Sequence, residues 1–213
     1  MASISQMIDD VELRIYAGKP SDDAEIEREQ ILFWINNINK SLLVDYIKAN
    51  NNDIPSNILK RFDCIELKTN QSLCVGGCTS NKYIELPSNE SGKPVEILSL
   101  PFDDGIADVL FGSNKITKLQ NQSQVRLNKN IRFASDVPYY HRVGNRLFLI
   151  GGIYPSYCKF SIVVATADTT GVDYSENFPT VDKLIPQILD EAERIGLREL
   201  SSKYDTQNDG ADN

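Results

Sequence analysis

Apolar residues in the first fifty positions recur every three or four residues. Ile4, Met7, Ile8, Val11 and Ile15 fall on one face of a helix. Gly18 and Pro20 stop that pattern, because glycine suits the left-handed residue after a helix and proline cannot continue one. Ser21, Asp22 and Asp23 then offer N-caps, with acids at the positive end of the next helix dipole. The second helix, about Ser21–Asn50, carries Ile31, Trp34, Ile35, Ile38, Leu42 and Tyr46 on one face and polar residues elsewhere. Two helices joined through Gly-Lys-Pro predict a helical hairpin.

From about Phe62 the period changes to two. Phe62–Lys68, Lys82–Leu86 and Val95–Leu100 alternate, and further strand-like runs lie at Val109–Phe111, Val125–Leu127 and Ile131–Ala134. Tyr139–Arg142 and Arg146–Ile150 flank Val143-Gly144-Asn145, a turn whose glycine and asparagine accept positive φ. Tyr157–Ala167 reads as a long strand. A third helix opens around Phe178-Pro179-Thr180 and buries Leu184, Ile185, Ile188, Leu189, Ala192 and Ile195, with Gly196 placed to break or kink it. The last residues are polar and acidic, without an apolar anchor, and predict a flexible tail.

This pattern defines an α+β fold: an N-terminal helical hairpin and a C-terminal helix that pack together, with an antiparallel β-rich block inserted between them. The expected boundaries are 1–60 for the N-terminal helices, 61–175 for the β block, 176–200 for the C-terminal helix and 201–213 for the acidic tail, all expected to form one structural unit.

Composition narrows the function. The chain has 213 residues and a net charge of −8. An acidic chain gains nothing from counterion release on phosphates, so sequence-specific nucleic-acid binding is disfavoured, while an acidic wall beside DNA is compatible with the charge. No apolar run approaches a membrane span, and the N-terminus lacks a basic region followed by an apolar one, so folding in a cytoplasm is expected.

Catalytic constellations are missing from the sequence. The sole histidine, His141, stands in a strand without a Gly-x-Ser-x-Gly elbow, and no Walker loop or His-Glu-x-x-His occurs. Asp103-Asp104-Gly105 reads as an Asx-type turn rather than a metal loop. Cys64, Cys74, Cys78 and Cys158 read as buried thiols. Cys74-Val-Gly-Gly-Cys78 has knuckle spacing, so a four-thiolate zinc site is the alternative. The reading is a protein without cofactor that is not an enzyme.

Three segments together resemble structural proteins of crAss-like, Bacteroidetes-infecting tailed phages. They are Tyr16-Ala-Gly-Lys-Pro-Ser-Asp-Asp-Ala-Glu-Ile26, the block Phe62-Asp-Cys-Ile-Glu-Leu67 through Cys74-Val-Gly-Gly-Cys78 to Lys82-Tyr-Ile-Glu-Leu-Pro87, and Phe178-Pro-Thr180 with Leu184-Ile-Pro-Gln-Ile188 before Asn208-Asp-Gly210. The resemblance implies a head–tail connector, a neck ring protein below the portal. It implies a cyclic homo-oligomer, twelvefold like the portal, with the portal and neighbouring neck or tail proteins as partners. It places the chain in the virion after assembly in the bacterial cytoplasm. Tyr139 and Tyr140, side by side and so on opposite strand faces, are interface candidates, as are Trp34 and Tyr46 where they are not core. The alternative function is a tail-borne module that binds host-surface glycan.

Overall fold

The first helix, α1, spans Ile4–Ile15 and buries Ile4, Met7, Ile8, Val11 and Ile15, the five residues of the predicted stripe. Ser3 and Gln6 start it with a reciprocal capping box: the Gln6 N–H donates to Ser3 Oγ at 3.2 Å and the Ser3 N–H to Gln6 Oε1 at 2.9 Å. The start is anchored to a distant segment, since the Ile4 N–H donates to the Glu176 carbonyl and the Phe178 N–H to the Ala2 carbonyl, each at 3.0 Å.

The computed structural model describes residues 2–17, 26–69, 82–88, 94–100, 104–119, 138–151, 159–167, 169 and 172–209. The chain divides into two compact units: Met1–Ile58, Leu98–Leu100 and Ala167–Asn213 form the first, and Leu59–Ile97 and Pro101–Thr166 the second. The fold is α+β, with helices from both chain ends and antiparallel-rich sheets inserted between them.

In the first unit α2 spans Arg28–Ala49, starting after Glu27, which makes no side-chain cap. The expected capping cluster Ser21-Asp22-Asp23 lies outside the described residues. The buried face of α2 is Ile31, Trp34, Ile35, Asn39, Leu43 and Ile47, whereas Ile38, Leu42 and Tyr46 of the predicted face are half-buried. Steps of four residues drift about 40° around a helix of 3.6 residues per turn, so this seam winds around α2 as it passes its neighbours. The third helix, α3, spans Ile185–Asp209 and follows a short 3₁₀ turn, Asp182–Leu184. Phe178-Pro179-Thr180 lies before the helix: the Thr180 N–H donates to the Phe178 carbonyl at 2.8 Å, closing a three-residue turn.

Two expectations for this helix change. Gly196 neither ends nor bends it into a stop, because the backbone ladder continues beyond it. The helix also runs through Ser201–Asp209, where the tail was expected. Once a helix is nucleated, each added residue brings one further hydrogen bond without a new nucleation cost, so a polar segment can extend it.

The second unit holds nine described strands: β1 Leu59–Glu66, β2 Lys68–Thr69, β3 Lys82–Glu85, β4 Ile106–Phe111, β5 Asn114–Lys115, β6 Thr117–Lys118, β7 Tyr139–Val143, β8 Arg146–Ile150 and β9 Lys159–Ala165. They form two sheets of order β1-β9-β4-β5 and β2-β3-β8-β7-β6. All pairings are antiparallel except β6 with β7. Both sheets feed one core that includes Ile84, Val109, Tyr140, Leu147, Phe160 and Ile162. The β7–β8 hairpin turns at Gly144, whose φ of 58° is the left-handed conformation the sequence predicts there.

Val95–Leu100 is not a strand, although Val95 and Leu98 are buried. Its alternation serves burial of single side chains, and the Val95 N–H donates to the Pro87 carbonyl at 2.9 Å rather than into a ladder. The runs Val125–Leu127 and Ile131–Ala134 lie outside the described residues.

Candidate functional site

Three helices meet around Gly196. A Cβ at that position would stand 2.2 Å from Ile15 Cδ1, 2.8 Å from Ile15 Cγ1 and 3.4 Å from Trp34 Cζ3. Glycine is therefore what lets α1 and α2 close on α3. Trp34, a candidate interface anchor, is 9% exposed and fills this junction.

Charges line the seams of this bundle. Arg14 on α1 donates to Asp190 at 2.6 Å and to Glu193 at 3.5 Å on α3. Arg28 on α2 donates to Asp9 at 2.6 Å and Glu12 at 2.9 Å on α1. Its hydrogen bond to Asp9 raises the guanidinium pKa further, against the desolvation that would lower it. These pairs are partly exposed, so each contributes at most about 1 kcal/mol and chiefly fixes how neighbouring helices align.

Asparagines on α2 hold the returning chain. Buried Asn39 donates from Nδ2 to the Pro179 carbonyl at 3.0 Å, and Asn36 Nδ2 donates to Thr169 Oγ1 at 2.7 Å. Asn57 Nδ2 donates to the Thr180 carbonyl. Asn39 Oδ1 and Thr180 Oγ1 are both buried without a hydrogen-bond partner.

In the β unit, Tyr140 is 3% exposed and belongs to the shared core, while Tyr139 is half-buried and points to the other face. Tyr46 is half-buried on α2. On the outer face of the second sheet Tyr83 and Phe148 pack with ring centroids 5.7 Å apart, and the Arg146 guanidinium lies 4.8 Å from the Tyr83 centroid. Lys68 bonds Glu85 there, and that hydrogen bond raises the lysine pKa. His141 pairs with Phe148 across β7 and β8 and is half-buried.

Cys64 departs from the buried-thiol expectation. It is exposed, with φ of 62°, at a bulge where the β1–β9 register shifts between Phe62 and Ile65. The extra residue turns Phe62 and Ile65, three apart, toward the same core, which leaves Asp63 and Cys64 between them facing outward. Cys74, Cys78 and Cys158 lie outside the described residues. Among the described residues no cluster of three potential metal ligands occurs. Asp103 also lies outside them; Asp104 pairs with Lys118 at 2.9 Å and its carbonyl accepts from Arg142 at 2.8 Å. Beside the bulge, Asp63 accepts from Ser161 Oγ and from Arg61 Nε, and these bonds, the serine's first, lower its pKa. Asp173 is likewise lowered, by the Ser175 backbone N–H at 2.9 Å.

Sequence reasoning passed over three exposed residues of the helical unit: Phe33, which is 63% exposed, Leu197, which is 47% exposed, and the exposed Arg198. The signal was present for Phe33, an aromatic residue lying off the Ile31–Trp34–Ile35 stripe.

What these elements offer among the described residues is packed interiors and charged surfaces. The chain matches the family model of phage tail ring protein 2, CrAss_Ring_2, over residues 6–213. It belongs to this family of crAss-like phage tail ring proteins, structural components of the phage tail. No curated protein matches the chain. No helix among the described residues is long and apolar enough to cross a membrane.

Proposed function

We propose that this chain is a subunit of a homo-oligomeric ring in the phage neck, a head–tail connector between portal and tail that acts by docking rather than catalysis. Membership of a tail ring family over nearly the whole chain is the observation that carries this reading. The helical unit supports it. Its three helices are locked together at Gly196 and by cross-helix ion pairs, a rigid body of the kind that repeats around an axis. A ring of twelve copies would match a twelvefold portal, and the net charge of −8 suits a channel wall that DNA passes without sticking. Assembly would take place in the host cytoplasm and the ring would persist in the virion neck. Of the four aromatic residues picked out in the sequence, Tyr139 and Tyr46, half-buried, have surface left to offer a neighbour. Trp34 and Tyr140 are largely committed to the interiors of their own units.

Electron cryomicroscopy of virions, with native mass spectrometry of the purified chain, tests the proposal. The expected result is a closed ring at the neck whose copy number matches the portal. A chain absent from virions, or present as isolated copies on the tail surface, would refute it.

A further inference from the structure

We infer that neighbouring copies in the ring meet by docking the outer face of α2, centred on Phe33 and Glu29, onto the Leu197–Arg198 face of α3 of the next copy. The inference rests on the ring reading and specifies the contact that builds it. Closed rings use heterologous interfaces, in which two different patches of one chain meet.

Among the described residues the helical unit exposes Leu13, Phe33, Tyr174 and Leu197, of which Phe33 and Leu197 are exposed the most. On α2, Glu29, Phe33, Asn37 and Ser41 form an exposed row at steps of four residues, while Ile31 and Ile35 face inward. On α3, Leu197 lies one turn beyond Glu193, the residue that Arg14 of α1 holds, so it stands on the side of α3 toward α1. Phe33 points away from the bundle interior, opposite the residues α2 buries. The two apolar centres therefore occupy different sides of the unit, as a head-to-tail contact requires.

Their surroundings are complementary in charge. Phe33 is flanked by exposed Glu29, with exposed Glu27 at the start of the helix. Leu197 is flanked by exposed Arg194 and Arg198; Arg194 is already bonded to Glu191, which leaves Arg198 as the cation to meet a carboxylate. Copies that each carry a net charge of −8 repel one another, so a contact between them gains by setting the Glu29 carboxylate against the Arg198 guanidinium beside an apolar centre.

The test is charge exchange in the full-length chain, read by native mass spectrometry and sedimentation across a concentration series. Phe33→Asp should raise the concentration at which rings half-dissociate by about tenfold or more, the mark of a central anchor. Glu29→Arg and Arg198→Glu should each weaken the ring several-fold, and the double exchange should restore it. Thermal unfolding of the unassembled subunit, measured at concentrations below ring formation, should be unchanged, since all three positions are exposed. Rings that persist in Phe33→Asp and in both single exchanges would overturn the contact while leaving the ring reading intact. So would singles that weaken the ring with a double no better than either. A wild-type chain that never forms rings would instead overturn the ring reading itself, and the contact with it.

Discussion

Replacing Gly196 with alanine should destabilise the helical unit, and the sign should reverse when Ile15 is shortened. In an ordinary helix interior this substitution stabilises by about 1 kcal/mol, because alanine loses less conformational freedom. Here the added Cβ would stand 2.2 Å from Ile15 Cδ1 and 2.8 Å from Ile15 Cγ1, far inside the ~3.5–4.0 Å of a good carbon contact. Ile15 is buried and β-branched, so its χ1 cannot swing freely away. Overpacking of this kind costs about 1–3 kcal/mol, leaving a net loss of up to about 2 kcal/mol after the helical gain. Ile15→Ala alone should cost about 2–5 kcal/mol. In that background the Cβ enters vacated space, and Gly196→Ala should now stabilise by about 1 kcal/mol. Ile15→Val, which removes only the nearer carbon, should fall between. Urea unfolding followed by far-UV circular dichroism and by fluorescence of the single tryptophan reads the cycle, with Trp34 Cζ3 itself 3.4 Å from the new atom. A coupling energy of about 1–3 kcal/mol is expected. If Gly196→Ala stabilises equally in both backgrounds, Ile15 does not close on Gly196 and the account of the three-helix junction is wrong.

Asn39→Ala should cost about 1–3 kcal/mol in the same denaturation assay, because it leaves the half-buried Pro179 carbonyl without its donor; a change below about 0.3 kcal/mol would show that the bond carries no weight. At the bulge, Cys64→Gly should be neutral or stabilising by up to about 1 kcal/mol, whereas Cys64→Val should lose about 1–2 kcal/mol, since φ of 62° strains a β-branched residue most; equal melting temperatures for the two variants would contradict the left-handed assignment. Asp63 and Asp173 have carboxyl groups held below their unfolded values, so their contribution is present above the ordinary carboxylate range near ~4 and is lost as pH falls through the folded values. Unfolding midpoints measured from neutral pH down to acid should therefore show a smaller acid-side decline in Ser161→Ala, and an unchanged profile would mean that Ser161 does not hold the Asp63 anion.

The parts legible in the sequence are those a single element specifies by itself. The α1 stripe and the glycine of the β7–β8 turn follow from periodicity and φ preference, and adjacent Tyr139 and Tyr140 take opposite faces as a strand requires. What escaped depends on partners distant in the chain. The buried seam of α2 drifts to Asn39, Leu43 and Ile47, because the segment around Pro179 packs there. A stripe drawn by hydrophobicity alone would not choose an asparagine. Gly196 looked like punctuation, since its reason lies in Ile15 and Trp34 on two other helices. Phe62 and Ile65 break period two, and only the β9 register reveals the bulge that brings both inward. Parallel pairing of β6 with β7 leaves no local trace at all.

The described sheet edges bear on which surfaces a ring can use. β2, β5 and β6, each at the end of a sheet or beside one, are two residues long. The longer edge strand, β1, exposes Lys60, Arg61, Asp63 and Glu66 and is bent by the bulge at Cys64. Short, charged or bulged edges are how sheets avoid pairing with other chains, because an unpaired ladder of backbone groups otherwise recruits another strand without regard to partner. A subunit that must meet its copies in one orientation has particular need of that protection, since edge pairing admits many registers and does not fix a closing rotation. Side-chain faces on rigid helices do fix one. In the proposed ring that difference favours the α2 and α3 surfaces over strand addition as the source of its geometry.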